Sequence, residues 1–105
     1  MSSVAHATVL RIAAIHPSLP GHFPGQPIVP GVVLLDCVLQ EAERWLQRPV
    51  RALALPNAKF IAPLLPDQSA ELQLKLDADE LRFTVSRDGA AIVQGLFRIA
   101  GTGAA

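Results

Sequence analysis

The stretch GHFPGQPIVPGVVLLDC (residues 21–37) changes character halfway along, and this change sets the architecture that we predict. It holds three prolines and three glycines before Val32, and then becomes a continuous apolar run. Proline fixes φ and has no amide donor, so the first half predicts a stiff loop without regular structure. Pro30 suits the first turn of a helix, because the amide that it lacks would have no partner there. The apolar run therefore predicts a helix over residues 31–47, ending before Pro49.

Successive helical residues lie about 100° apart, which separates an apolar face of this helix from a polar one. The apolar face comprises Leu34, Leu35, Val38, Ala42, Trp45 and Leu46. The opposite face comprises Asp36, Gln40, Glu43 and Gln47. Val32 and Val33 fall outside the apolar face, so we expect the first half of the helix to be buried on more than one side.

The remaining segments show the alternation of apolar and polar side chains that is typical of strands. We predict strands over residues 4–15, 51–61, 69–76, 81–87 and 90–99, with a bulge or an edge position at Pro56 and Asn57 in the second of them. Asp88-Gly89 is a strong two-residue hairpin signal between the last two strands. One long helix with one strand before it and several antiparallel strands after it predicts an α+β fold, in which a single sheet wraps around the helix.

Composition and charge restrict the classes of function. The chain has 105 residues, which predicts a single domain over residues 1–105. Nine basic and nine acidic side chains give a formal net charge of zero, which argues against binding to nucleic acid or to a membrane surface. The single cysteine, Cys37, cannot form an internal disulfide, and no segment reads as a leader or a membrane span. We therefore expect a cytoplasmic protein, and so small a core would gain from pairing with a second copy.

The residues around the start of the predicted helix suggest proton-transfer chemistry. A helix N-terminus offers unpaired amides, and Gly31 has no side chain to keep a ligand from its N–H. His22 on the stiff loop is suited to proton transfer at neutral pH, and Asp36 would supply a second such group. Both residues also have structural interpretations: His22 as a loop histidine bonded to backbone, and Asp36 as an acid favoured by the helix dipole.

The motif GHFPGQPIVPGVVLLD resembles the signature of the hotdog-fold 3-hydroxyacyl-[acyl-carrier-protein] dehydratases, close to G-H-F-P-G-x-P at its start and P-G-V-x-x-x-E at its end. NAKFIAPLLPDQSAEL (residues 57–72) resembles a second segment of that family more weakly. The resemblance implies a hotdog fold, a curled antiparallel sheet around one long helix. It also implies dehydration of a 3-hydroxyacyl thioester to a trans-2-enoyl thioester, without a cofactor.

The resemblance implies specific roles for residues of the motif. His22 and Asp36 fall on the catalytic histidine and carboxylate, and the Gly31 amide falls on the donor that polarises the thioester carbonyl. The residues expected to contact substrate are Phe23, Pro30, Val32 and Val33. A homodimer is implied, with His22 of one copy meeting Asp36 of the other, and dimers in turn can assemble into higher oligomers.

The sequence departs from the family pattern at three points. Asp36 stands where the larger branch of the family has Glu, LLPDQ lacks the glycine of the family's P-G-D-Q turn, and the chain is short. We therefore expect a compact, specialised member, serving polyketide-type or aryl polyene synthesis rather than general fatty acid synthesis.

Other charged residues suggest a partner surface. Arg44, Arg48, Arg51 and Lys59 have no acid between them, which would suit an acidic acyl carrier protein, although a solvated helix end explains the same pattern. The substrate would be a thioester of such a carrier or of CoA. His6 is expected to be exposed, and the three histidines lack the spacing of a metal site. Two other functions remain open: a hotdog acyl thioesterase, and a non-catalytic acyl- or carrier-binding protein.

Overall fold

The structure, a computed structural model, describes residues 3–13 and 28–100. Its elements in chain order are β1 (Val4–Arg11), α1 (Gly31–Leu46), β2 (Ala52–Phe60), β3 (Ser69–Asp77), β4 (Glu80–Arg87) and β5 (Ala90–Ile99). Every strand pair is antiparallel, and the five strands form one sheet in the order β1-β3-β4-β5-β2. The predicted α+β architecture is therefore confirmed. Within the described residues, no helix has the length and apolar character needed to cross a membrane.

The inner face of the sheet is formed by the alternation that the sequence shows. On β3 the side chains of Leu72, Leu74 and Leu76 are buried, while the residues between them are exposed. On β4 the partners of Leu72 and Leu74 are the buried Val85 and Phe83. Because the side-chain period of a strand is two, this register places all five side chains on one face, where they meet the helix.

One face of α1 packs into the core. Four of its residues are buried: Val33, Leu34, Val38 and Ala42. Val33 lies outside the apolar face assigned from the sequence, and its burial agrees with the expectation that the first half of the helix is buried on more than one side. Leu35 and Leu46, which were assigned to the apolar face, are only partly buried. The helix ends at Leu46, one residue earlier than predicted. Gln47 takes a left-handed conformation (φ 55°) and its amide donates to the Glu43 carbonyl at 2.8 Å.

The turns and the irregular strand follow local sequence chemistry. Asp88 and Gly89 both have positive φ (53° and 81°), as a two-residue hairpin turn of the primed type requires. The register of β2 against β5 shifts between Ala54 and Asn57, on either side of Pro56, which confirms the predicted bulge.

The turn that lacks the family's glycine is closed by Asp67. This residue takes the left-handed conformation (φ 67°), which aspartate tolerates better than most residues. Its amide donates to the Ile12 carbonyl at 2.8 Å, and Arg11 Nη2 donates to its Oδ1 at 3.1 Å. Asp67 therefore joins the end of β1 to the segment before β3 without a glycine.

His6 lies between β1 and the helix, so the expectation that it would be exposed was wrong. Its Nε2 donates to Glu41 Oε2 at 3.0 Å, and its ring stacks on Trp45 with centroids 5.2 Å apart and planes 12° apart. The pairing of His6 with Leu74 puts its side chain on the inner face of the sheet, above the last turns of α1. This contact fastens the edge strand to the helix.

Candidate active site

Among the described residues, no side chain caps the backbone donors at the start of α1. Pro30 precedes the helix in an extended conformation (φ −60°, ψ 145°) and makes no side-chain cap. The amides of Val33 and Leu34 both donate to the Pro30 carbonyl, at 3.0 and 3.2 Å. Across residues 3–13 and 28–100, the amides of Gly31 and Val32 have no acceptor. These two N–H groups lie at the positive end of the helix dipole, where an anion or a polarised carbonyl oxygen is favoured.

The backbone just before this start is bonded to the segment that follows β2, and that segment is in turn bonded to β5. The Val29 amide donates to the Leu64 carbonyl at 2.8 Å, and both side chains are buried. The amides of Ile61 and Ala62 donate to the Ile92 carbonyl at 2.8 and 3.2 Å, which ties the segment after β2 to β5. The helix start is therefore held by the sheet and not only by its own first turn.

Gly31 packs directly against the ring of Phe60, the last residue of β2. A Cβ atom built on Gly31 would lie 2.7 Å from Phe60 Cε1 and 2.8 Å from Phe60 Cζ, which is closer than real Cβ contacts allow. A side chain at residue 31 would require the tip of the Phe60 ring to shift, so the close approach, and not a positive φ, favours glycine here. Phe60 was not singled out by the sequence, and no local pattern links residues 31 and 60.

The carboxylate of Asp36 lies on the exposed face of α1, five residues into the helix. Gln40 Nε2 donates to Asp36 Oδ2 at 2.7 Å, across one turn. The spacing of four residues places two helical side chains on the same side, so the bond was available from the sequence. Gln40 was nevertheless interpreted only as part of the polar face, and its link to Asp36 was missed.

Cys37 lies next to Asp36 and is half-buried. Burial raises the pKa of the Cys37 thiol above its ordinary value, and the neighbouring Asp36 carboxylate raises it further. Both effects disfavour the thiolate, the form in which a cysteine acts as a nucleophile.

The remaining predicted site residues occupy different surroundings. Val32 is 73% exposed beside the helix start, whereas Val33 is buried in the core. Pro30 is partly buried. His22 and Phe23 lie outside the described residues, so the predicted meeting of His22 with Asp36 stays a prediction.

The four basic residues proposed for carrier binding lie on different parts of the fold, and their joint role stays a prediction. Arg44 lies on α1 and pairs with Glu41, 3.3 Å between Nη1 and Oε1. Arg48 Nη1 donates to the carbonyl of Pro49 at 3.4 Å. Arg51 precedes β2, and Lys59 lies on β2 opposite Gln94. Arg44 and Arg48 therefore lie in and just after α1, whereas Arg51 and Lys59 belong to the edge strand of the sheet and the residue before it.

Comparison with known proteins identifies the family. Residues 2–96 match the family model named ApeI-like, whose description is ApeI dehydratase. The chain belongs to the ApeI-like family. It is 33% identical over 95 residues to the 3-hydroxyacyl-[acyl-carrier-protein] dehydratase FabZ of Haemophilus influenzae, covering 83% of this chain and 64% of that protein. It is 35% identical over 98 residues to the FabZ of Pasteurella multocida, covering 83% and 62%. The chain thus spans slightly less than two thirds of these curated relatives.

Solved structures show the same fold as this ApeI-like chain. The dehydratase heterocomplex ApeI:P from Xenorhabdus doucetiae matches with a TM-score of 0.79 and 25% identity, covering 95% of this chain and 99% of that one. An uncharacterized protein from Erwinia carotovora subsp. atroseptica matches with a TM-score of 0.79 and 24% identity, covering 95% and 86%. These likenesses confirm the hotdog fold that the motif implied.

The contact between Gly31 and Phe60 predicts an energetic coupling in this ApeI-like protein. Alanine is favoured over glycine in a helix by about 1 kcal/mol, so Gly31→Ala should stabilise the chain where space allows. With Phe60 present, the new methyl group must displace the ring. We expect Gly31→Ala to be less favourable in the native background than in Phe60→Ala, with a coupling of about 0.5–3 kcal/mol. Urea unfolding of the four proteins measures it, and additive effects of the two substitutions would contradict the contact.

The raised pKa of Cys37 predicts slow alkylation with a defined dependence on charge. We expect iodoacetamide to modify Cys37 at pH 8 more slowly in the folded protein than in the urea-unfolded chain, because the folded state holds less thiolate. Asp36→Asn should speed the folded-state reaction, since it removes the negative charge beside the thiol. Asp88→Asn removes the same charge from the β4–β5 turn and serves as the control. Equal rates in the Asp36 and Asp88 variants would show that Asp36 does not act on the thiol.

Proposed function

We propose that this ApeI-like chain dehydrates a 3-hydroxyacyl thioester carried by an acyl carrier protein, producing a trans-2-enoyl thioester and water. The observation that carries the proposal is the arrangement on α1. The uncapped Gly31 amide and the Asp36 carboxylate, held by Gln40, lie five residues apart on one helix, in a chain whose family model is described as a dehydratase. A rise of 1.5 Å per residue separates these two groups by about 7.5 Å along the helix axis.

The proposed reaction breaks two bonds and forms one double bond. The imidazole of His22 takes the proton from C2 of the substrate, and negative charge develops on the thioester oxygen. The Gly31 amide donates to that oxygen, at the positive end of the helix dipole. The carboxyl group of Asp36 gives its proton to the 3-hydroxyl group as the C3–O bond breaks. Water leaves, the C2–C3 double bond forms, and a proton must pass from His22 to Asp36 before the next turnover.

Gln40 acts in this proposal as a positioning residue for Asp36. Its amide group donates to Oδ2, so Oδ1 remains free to carry the proton that the hydroxyl group receives. Aspartate is one methylene shorter than the glutamate of the larger family branch. Its carboxyl group therefore reaches less far, and its orientation toward the substrate hydroxyl group must be more restricted. The 2.7 Å bond restricts its rotation on a surface where it would otherwise be free.

We also propose that the active form is a dimer formed through β2, with His22 of one copy supplied to Asp36 of the other. β2 is an edge strand of the sheet, so one side of its backbone has no strand partner within the described residues. Large apolar side chains along this edge are exposed: Leu53, Leu55, Phe60 and Ile61. The edge also adjoins the helix start, because Phe60 contacts Gly31. A second copy on this edge would cover the apolar side chains and approach the proposed site.

The polar face of α1 offers a surface to which the acyl carrier protein could bind. A shallow depression lined by Gln40, Glu43, Arg44 and Arg48 continues from the Asp36–Gln40 pair toward the end of the helix. Two arginines in this position suit an acidic carrier protein, while Arg51 and Lys59 would contribute from the sheet edge. The pathway, fatty acid or polyketide-type synthesis, and the cytoplasmic location stay predictions.

The dehydration proposal predicts distinct effects for three substitutions. With a 3-hydroxyacyl thioester as substrate and enoyl absorbance as the measurement, His22→Ala and Asp36→Asn should each lower kcat by about 10²-fold or more, because each removes a proton-transfer group. Gln40→Leu should lower kcat with little change in KM and shift the pH profile of kcat. Gln73→Ala, an exposed glutamine on β3, is the matched control.

Thiol release measured in the same reactions separates dehydration from thioester hydrolysis. Release of free thiol without enoyl product, at a rate that His22→Ala does not change, would contradict the dehydratase proposal and indicate a thioesterase. Neither product above the background rate would leave a non-catalytic acyl-binding protein.

The dimer proposal predicts the mass of the particle in solution. Light scattering after size exclusion should give twice the 11.2 kDa of the chain. Leu55→Lys should reduce this toward the monomer, because it places a charge at the β2 edge, whereas Val9→Lys on the opposite edge strand should not. A monomeric native protein would exclude the homodimer. Association only with a second hotdog subunit would then indicate a heterocomplex, as described for the Xenorhabdus doucetiae proteins.

A further inference from the structure

Phe60 is the one apolar side chain that both touches the proposed carbonyl-binding glycine and is open to solvent, among the contacts described for Gly31. The three heavy atoms nearest to a Cβ position on Gly31 all belong to its ring. The residue is 51% exposed in the single chain, so part of Phe60 is open to a bound thioester as well as to the second copy proposed at the β2 edge. Its backbone is fixed, because Phe60 pairs with Val93 at the end of β2.

The geometry of a helix places this ring beside any acceptor bound to the Gly31 amide. In an α-helix the N–H groups of the first turn point toward the N-terminal end, and the Cα–Cβ direction is tilted the same way. The tip of the Phe60 ring occupies the Cβ direction of Gly31. A carbonyl oxygen that accepts from the Gly31 amide therefore lies next to the ring, and the carbon atoms bonded to that carbonyl lie closest to it.

We propose that Phe60 is a specificity-determining residue, which limits the width of the site next to the thioester carbonyl and excludes acyl chains branched at C2. The inference rests on the proposed function, in which the Gly31 amide binds the carbonyl of an acyl thioester. A methyl group on C2 is two bonds from the carbonyl carbon and therefore enters the space that the ring borders. One methyl group in an apolar pocket changes discrimination by about 10- to 200-fold, which sets the size of the effect.

The apolar ring also protects the hydrogen bond to Gly31. A donor that is screened from water by an aromatic side chain interacts more strongly with a carbonyl oxygen than one that is fully solvated. An unbranched chain leaves the ring in place and keeps this protection, whereas a branched chain must displace it. Loss of the ring is therefore expected to weaken the binding of unbranched chains and to relax the selection against branched ones.

The test uses binding of thioesters that cannot react, so that it does not depend on turnover. The probes are the N-acetylcysteamine thioesters of butyrate, unbranched at C2, and 2-methylbutyrate, which adds one methyl group at C2; neither has a 3-hydroxyl group. Titration followed at the Gly31 amide by ¹⁵N–¹H NMR gives the Kd of each. We expect the native protein to bind the butyryl probe at least about 10-fold more tightly than the 2-methylbutyryl probe.

Substitutions assign this preference to the ring. Phe60→Ala should bring the two Kd values toward parity, and Phe60→Leu, which keeps part of the side chain, should give an intermediate ratio. Ile61→Ala is the matched control: it removes a similarly exposed apolar side chain (48%) from the same sheet edge, but it is not among the atoms nearest to Gly31. Its ratio should equal that of the native protein, even where substitution at this edge affects pairing with a second copy.

Three results would overturn the proposal: equal weakening of both probes by Phe60→Ala, no preference in the native protein, or the same change of ratio in Ile61→Ala. Absence of any shift at the Gly31 amide would also do so, because no carbonyl would then bind there. The dehydratase proposal fails on a different measurement, the absence of enoyl product from a 3-hydroxyacyl thioester. If the protein selects between the probes but makes no enoyl product, the proposal for Phe60 stands and only the dehydratase proposal is contradicted.

Discussion

The burial of one face of α1 against the inner face of the sheet is the constraint on which the rest of this molecule depends. Val38 and Ala42 are completely buried at the centre of this contact, and the alternating side chains of β3 and β4 supply the opposite surface. Burying an aliphatic side chain of this size contributes about 1.5–3 kcal/mol, so a rotation of the helix that exposed its buried face would be costly. The helix is therefore fixed in rotation, which decides which residues face the core and which face outward.

This fixed helix determines what lies at its first turn. Its axis brings Gly31 against the ring of Phe60, and the Val29–Leu64 bond holds the incoming chain in place. A serine, threonine or aspartate cap at this position would add about 0.5–2 kcal/mol of stability, but Pro30 supplies none. Within the described residues the helix start therefore lacks this local stabilisation and leaves the amides of Gly31 and Val32 available to the ligand that we propose.

The same rotation separates the ionisable residues of α1 into two groups with different roles. Glu41 turns toward β1, where His6 and Trp45 complete a contact that fastens the edge strand. Asp36 and Gln40 turn outward, where their short hydrogen bond leaves one carboxylate oxygen accessible. In the proposed dehydration this outward pair supplies the acid, which must be accessible to substrate. A carboxylate in the position of Glu41 would serve packing only.

The sequence by itself determined several local elements: the alternation of β3 and β4, the Asp88-Gly89 turn and the bulge near Pro56. Each depends on the backbone preferences of a few consecutive residues, which a local pattern contains. The stiff loop predicted before the helix falls mostly on residues 14–27, outside the described residues, and stays a prediction. The sequence also supplied the motif from which Gly31 and Asp36 were selected, whereas His22 lies outside the described residues and its role stays a prediction.

Only the tertiary structure decided the burial of Val33, the pairing of His6 with Glu41, and the contact of Phe60 with Gly31. These depend on how far the helix is rotated and on which strand lies at each edge of the sheet. Residues 6 and 41, or 31 and 60, meet because separate segments pack against one another. The periodicity of a single segment carries no information about contacts between residues so far apart in the chain.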